Sequence, residues 1–297
     1  MQIFLPITLV AAALQTARFA LQKQLKTLGL STLSATAARF VTASPLAIVL
    51  TAVLMVWRGY GWPSLASSFW PAAAVGGLAQ IAATFFTVSL FSQRSFAVGI
   101  AFTKTEVLQV ALFSALFLGE TVSGAGLVVI LVGIMGVLIL TRPPGGWQGD
   151  FLNKATLQGL AAGGLFGAAS VGYRAATLAV GNGDAFFRAV FSLAAVTTFQ
   201  TLILLPWLFW RERGEMARIA GARRPAFWAG VTGMLASLGW FWAFALMNAA
   251  YVRAIGQVEL VFTLMVSTFI FHERPSIREL LGIGLLVLSI IGIVLAA

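Results

Sequence analysis

The stretch Lys104-Thr-Glu106-Val-Leu-Gln-Val-Ala-Leu-Phe-Ser114-Ala-Leu-Phe-Leu-Gly-Glu120 returns in outline as Gln257-Val-Glu259-Leu-Val-Phe-Thr-Leu-Met-Val-Ser267-Thr-Phe-Ile-Phe-His-Glu273. In both, two glutamates stand 14 positions apart in an apolar background, the first inside a hydrophobic segment and the second at its end. A shift of 153 lays 104–140 on 257–293 with six identities: the two glutamate pairs, Ser114/Ser267, Ser123/Ser276, Leu127/Leu280 and Ile130/Ile283. Most other matches exchange one apolar residue for another. The pattern reads as a duplicated membrane domain with a buried ionisable residue in each half, an arrangement used by transporters.

Composition agrees. The chain is 60% hydrophobic and 9% charged, whereas soluble domains carry about 25% charged residues. Lipid must therefore be the solvent for much of its surface. The 19 Lys+Arg against 9 Asp+Glu do not indicate nucleic acid, because the basic residues lie mainly in short connections, where they act as positive-inside determinants and anchors. Cysteine is absent, which removes disulfides, thiolate metal sites and cysteine nucleophiles. One histidine and scattered carboxylates give no metal-ligand spacing. No strand–glycine loop–helix phosphate cradle is present, and no cofactor is expected.

A membrane helix needs about 20 apolar residues. Ten candidates are expected at 3–21, 33–57, 69–91, 96–118, 122–140, 155–179, 185–210, 225–248, 252–271 and 277–296. The first has no basic stretch before it and reads as a span, not a cleaved signal. The Pro/Gly-rich segment 141–154 falls at the midpoint and divides the chain into 1–145 and 146–297, five spans each. Five is odd, so the second half enters the membrane in the opposite orientation, an inverted repeat. The expected fold is all-α, with ten transmembrane helices in two inverted five-helix repeats. Phe69-Trp70 and Phe227-Trp228 open the corresponding third and eighth spans. Basic residues concentrate in connections opposite the termini, among them Arg211, Arg218, Arg223 and Arg224. The positive-inside rule then puts both termini outside the cytoplasm.

Ala115-Leu-Phe-Leu-Gly-Glu120, a turn, and Gly126-Leu-Val-Val-Ile-Leu-Val-Gly133-Ile-Met-Gly136, with their counterparts Phe269-Ile-Phe-His-Glu273 and Leu280-Leu-Gly-Ile-Gly284, resemble the ending of each repeat in the EamA-type transporters of the drug/metabolite transporter superfamily. The second repeat departs from that pattern at His272, which stands where the family has glycine. The resemblance implies a multi-pass permease of the inner membrane, more often efflux than uptake. It also implies cytoplasmic termini, against the loop count. It leaves the substrate open among amino acids, amines, drugs, nucleotide-sugars and other metabolites.

Glu106 and Glu259 are the first candidates for mechanism. Each is expected seven to nine residues into its span, about 10–13 Å deep at ~1.5 Å per residue. A carboxylate there must be hydrated or paired, and burial pushes such a group toward neutrality, which suits proton coupling. The alternative is an ion pair that only holds helices together. Lys104 lies two residues before Glu106, on a different helix face; it binds a substrate carboxylate or neutralises one on another span. Its repeat mate is Gln257. Gln15, Arg18 and Gln22 form a polar stripe on the first span that must face protein or water. Arg18 either lines a cavity or pairs with Glu106 or Glu259. Gln80, Thr84 and Thr87 share a face of the third span, and Ser170, Tyr173, Arg174 and Thr177 cluster in the sixth. Trp240, Trp242 and Asn248 are candidate path residues of the eighth. Arg253 heads the ninth span as a gate or an anchor. Glu120 and Glu273 are expected to cap helices, and Arg39 and Arg188 to serve as anchors or caps near helix starts.

These readings point to a secondary transporter of a small metabolite, such as an amino acid, related zwitterion or organic anion, moved between the halves and possible to couple to protons. An uncoupled exchanger or a non-transporting membrane subunit are the alternatives. No nucleophile–base pair indicates an enzyme. The expected partners are the small-molecule substrate and the lipid bilayer. One duplicated chain suffices for a two-fold pathway, so a monomer is adequate and a dimer is compatible.

Overall fold

The computed structural model describes residues 3–90, 103–141, 154–212, 214–271 and 276–296. Within them the chain is helical: α1 (Phe4–Thr27), α2 (Thr32–Arg58), α3 (Phe69–Leu90), α4 (Glu106–Leu118), α5 (Gly124–Thr141), α6 (Lys154–Leu178), α7 (Ala185–Arg211), α8 (Glu215–Gly221), α9 (Arg223–Leu246), α10 (Ala249–Gly256), α11 (Glu259–Phe271) and α12 (Ile277–Ala296). A 3₁₀ turn, Thr103–Thr105, leads into α4. Six stretches are long and apolar enough to cross a membrane: α1, α2, α3, α7, α9 and Ala249–Val266. Glu106–Leu118, Gly124–Ile139 and Leu280–Ile293 are apolar but shorter. Of the ten expected spans, the fourth falls partly on residues outside the description. His272 and Glu273 also lie outside the described residues. The ninth is not continuous: Gln257 and Val258 form a turn between α10 and α11.

Local signals start and stop these helices. Ser31 caps α2 by accepting from the Ser34 N–H at 3.0 Å. Asp184 caps α7 through the Phe187 N–H at 2.8 Å, and Asn248 caps α10 through Ala250 at 2.8 Å. Each satisfies an N–H that the helix itself leaves free. Gly59 ends α2 with φ 64°, a left-handed backbone that favours glycine.

Helices meet along seams of small residues. The principal contacts are α3 with α6, α1 with α9, α5 with α12 and α2 with α7. A Cβ on Gly172 of α6 would stand 2.8 Å from Gly76 Cα and 2.9 Å from the Ala72 carbonyl of α3. A Cβ on Gly239 of α9 would meet Ala11 of α1 at 2.7 Å, and one on Gly136 of α5 would meet the Gly282 carbonyl of α12 at 2.8 Å. Lipid supplies no hydrophobic drive between helices, so this close van der Waals approach carries the packing.

The two ends of α2 are tied to the second half of the chain. At one end, the Ser31 N–H donates to Glu215 at 3.0 Å and the Ser31 hydroxyl to Glu212. At the other, Arg58 pairs with Asp184 at 2.6 Å, and Leu65 forms a single antiparallel bridge with Val180.

Gly172→Ala should lose about 1–3 kcal/mol by thermal unfolding in detergent, because the added carbon meets backbone that cannot swing away. Gly284→Ala, where nothing lies within 4 Å, should be neutral or gain up to about 1 kcal/mol from helix propensity. Burial works against the Glu215 charge, but hydrogen bonds from Ser34 and the Ser31 N–H, with the Arg218 guanidinium, hold this carboxyl below its ordinary 4.5. A lowered folded pKa gives stability that is present above the unfolded value and lost as pH falls through the folded one. Unfolding between pH 6 and 3 should show that acid-side loss in the wild type and not in Glu215→Gln.

Candidate functional site

Glu106 and Glu259 each open a helix instead of sitting inside one. Glu106 is the first residue of α4 and Glu259 the first of α11. The chain breaks before both, in the 3₁₀ turn at Thr103–Thr105 and in the turn at Gln257–Val258. A carboxylate in the first turn meets the positive end of the helix dipole. The regular hydrophobic run hides these breaks, which is why both glutamates read as mid-span.

Both carboxylates are buried and paired, and the pairs are crossed. Lys104, from the first half, pairs with Glu259 of the second. Arg253, from the second half, pairs with Glu106 of the first at 2.5 Å. Lys104 and Glu259 are 3% and 1% exposed, so neither charge has water to fall back on. Glu259 also accepts from Gln15 Nε2 at 3.1 Å. The Gln15 carbonyl accepts from Trp240 Nε1 at 2.9 Å, and the Arg253 guanidinium lies 4.6 Å from the Trp240 ring centroid. The six side chains thus form one line: Glu106, Arg253, Trp240, Gln15, Glu259, Lys104. One oxygen of each carboxylate, Glu106 Oε2 and Glu259 Oε1, has no hydrogen-bond partner.

This line borders a small cavity lined among others by Gln15, Gln80, Tyr173, Trp240, Phe244 and Arg253. Tyr173 stacks on Phe241 at 4.3 Å between centroids. A second polar knot holds one side of the cavity. The Gln80 carbonyl accepts from the Tyr173 hydroxyl at 2.6 Å, Gln200 Nε2 at 3.1 Å and Arg39 Nη2 at 3.2 Å.

The remaining expected residues divide. Thr84 is fully buried and its hydroxyl has no partner; Gln257 is buried with its carbonyl oxygen unpartnered. Trp242 does not line the cavity; it packs edge-on against Phe186 at 4.7 Å. Asn248 is a helix cap. The cap of α5 belongs to Ser123, whose hydroxyl accepts from the Gly126 N–H at 3.0 Å. Glu120 instead pairs with Arg174 at 2.7 Å, another ion pair between the halves. At α7 the cap is Asp184 and not Arg188, whose Nε is buried without a partner. Arg39 is no interfacial anchor, being 1% exposed. Arg18 is equally buried, and no ion pair joins it to Glu106 or Glu259, each of which has another cation. An unpaired arginine at such depth costs about 2.5–3.5 kcal/mol even on the mildest insertion scale. Sequence reasoning passed over Gln200, although a lone amide in the apolar α7 is itself a signal.

The EamA-like transporter family model matches residues 157–295, which cover α6 to α12. A riboflavin transporter of Vibrio cholerae is 29% identical over 193 residues, 65% of this chain and 60% of the relative; the chain thus spans about three fifths of that relative's length. A solved structure titled only as the crystal structure of a protein is 18% identical and superposes over 98% of this chain and 99% of its own, with a TM-score of 0.64. That likeness speaks for the fold alone.

Breaking a buried pair from one side strands the other charge, at about 3–5 kcal/mol. Lys104→Met and Glu259→Gln should each lower the unfolding temperature in detergent. The double variant should recover most of the loss, and simple additivity of the two losses would refute the coupling.

Proposed function

We propose that the protein is a secondary transporter of a small metabolite, built from inverted five-helix repeats over 1–145 and 146–297, a reading supported by the match of residues 157–295 to the EamA-like transporter family model. The observation that carries the reading is the buried line from Glu106 to Lys104 beside the cavity. Four of its five links join one half to the other, so the halves cannot move apart without breaking it. Such a line serves as a lock for alternating access. A proton placed on either carboxylate weakens its pair, which supplies a route to coupling.

The repeat reading has support in the packing. Exchange of equivalent helices turns the α1–α9 contact into the α6–α3 contact and leaves α2–α7 and α5–α12 each as its own image. This is what a two-fold axis in the membrane plane requires. The resemblance favours efflux across the inner membrane, and an uncoupled exchanger remains the alternative mechanism.

A zwitterion or organic anion matches Arg253, the cation among the residues that line the cavity. A second substrate reading, a flat aromatic solute, is favoured by the rings of Tyr173, Trp240, Phe241 and Phe244 at the cavity wall, and by the likeness to a protein described as a riboflavin transporter.

The test is flux into proteoliposomes of a panel of amino acids, organic acids and riboflavin, with and without a pH gradient. Wild type should move at least one solute, faster with the gradient. Glu106→Gln and Glu259→Gln should each remove the gradient-driven part by about tenfold or more, that is, roughly 1.4 kcal/mol of barrier. Flux indifferent to gradient and substitution would make the protein a facilitator with structural glutamates. No flux of any solute would leave a subunit of some larger assembly.

A further inference from the structure

The tripeptide Ala-Arg-Phe occurs at 17–19 in α1 and again at 38–40 in α2. The two helices are joined by the short turn at 28–31, and both arginines fall about 10–14 Å from it at ~1.5 Å per residue. Both are 1% exposed. They converge on Gly233 of α9, where a Cβ would stand 3.2 Å from Arg18 Cδ and 3.6 Å from Arg39 Cβ. Each guanidinium lies over the ring of the phenylalanine that follows it, at 4.1 Å for Phe19 and 4.4 Å for Phe40. A ring face holds the flat side of the group and leaves its N–H edge unspent.

That edge is empty. Arg18 Nε and Nη2, and Arg39 Nε and Nη1, have no hydrogen-bond partner. Arg39 Nη2 is engaged by Gln80, and Gln80 lines the cavity. The described ion pairs leave both arginines out: Glu106 and Glu259 hold Arg253 and Lys104, Glu120 holds Arg174, Asp184 holds Arg58 and Glu215 holds Arg218. Guanidinium does not shed its proton, and buried charges are kept only where something pairs with them.

We propose that Arg18 and Arg39 form a built site for an oxyanion, the carboxylate or phosphate of the transported molecule, between α1, α2 and α9 and entered past Gln80. The inference rests on the transporter reading and sharpens it: the substrate is an organic anion or carries one anionic group. Lys104 does not compete for it, because Glu259 already neutralises that cation. Gln80 is the positioning residue. Its carbonyl, shared by Arg39, Tyr173 and Gln200, fixes one arm of the Arg39 fork.

The experiment is thermal unfolding of the full chain in neutral detergent, titrated with inorganic phosphate and separately with benzoate, at ionic strength held constant with chloride. At least one anion should raise the unfolding temperature saturably. Arg18→Gln and Arg39→Gln should each raise the half-saturating concentration about tenfold or more, the loss of one charge-assisted contact, and Arg18→Lys should raise it less. Both Gln variants should fold at least as stably as wild type without added anion, since each removes an unpaired buried charge. No saturable shift with either anion, or an unchanged midpoint in both Gln variants, overturns the proposal. Competition by phosphatidylglycerol added to the micelles, lost in the same variants, would assign the site to a lipid headgroup and overturn it as a substrate site. Anion binding by a chain that moves no solute would refute the transporter reading and leave the site; flux without arginine-dependent anion binding would refute the site alone.

Discussion

A charge inside a bilayer must find a partner within the protein, and this requirement organises the molecule. Hydrophobic packing cannot do so, because lipid is as apolar as the helix surfaces it would compete with. The seams at Gly76/Gly172 and Gly136/Gly282 let helices approach closely, but small-residue contacts of this kind say little about which helix belongs beside which. The buried ions do. Lys104 has a partner only when α11 is beside the α4 entrance, and Glu106 only when α10 is. The specificity of the arrangement therefore sits in a few polar side chains, and its closeness in the glycines.

The breaks before Glu106 and Glu259 serve the same requirement. A carboxylate in the middle of a continuous helix would see only apolar neighbours and a backbone whose N–H groups are already used. Opening the chain at Thr103–Thr105 and at Gln257–Val258 brings a favourable dipole to the charge. Irregular backbone at this depth is tolerated where it is covered by protein, and Gln257 and Glu259 are both 1% exposed.

Much of the architecture was legible in composition and pattern. Apolar runs located the long helices, and the recurrence of 104–120 at 257–273 singled out the two glutamates before any contact was known. What could not be read was direction. The fork between a functional and a paired carboxylate depends on where Lys104 and Arg253 point across a gap of roughly 150 residues, and no local period encodes that. Trp242 and Trp240 are two positions apart and meet opposite surroundings, Phe186 for one and Gln15 for the other; alternate positions on a helix separate by about 200°, but sequence does not say which side is inward. Arg39 read as an anchor because arginines near helix ends commonly are. Its burial comes from α9 lying across it at Gly233, a tertiary fact.

The crossing of the two pairs has a consequence that pairing within each half would not have. Had Lys104 met Glu106 and Arg253 met Glu259, both of these pairs would stay intact as one half moved over the other. With the partners exchanged, relative movement separates both pairs together, and Gln15 and Trp240 carry the strain from one pair to the other. The interaction is strong because it is dry: the same charges in water at 4 Å would hold each other by about 1 kcal/mol, against about 4 kcal/mol at the effective dielectric of a protein. Water entering the cavity thus weakens the line from outside, and protonation of a glutamate weakens it from within. Arg18 and Arg39 stand outside this balance. They are the charges the protein's own described carboxylates leave over, and an anion arriving from outside is what would complete the count.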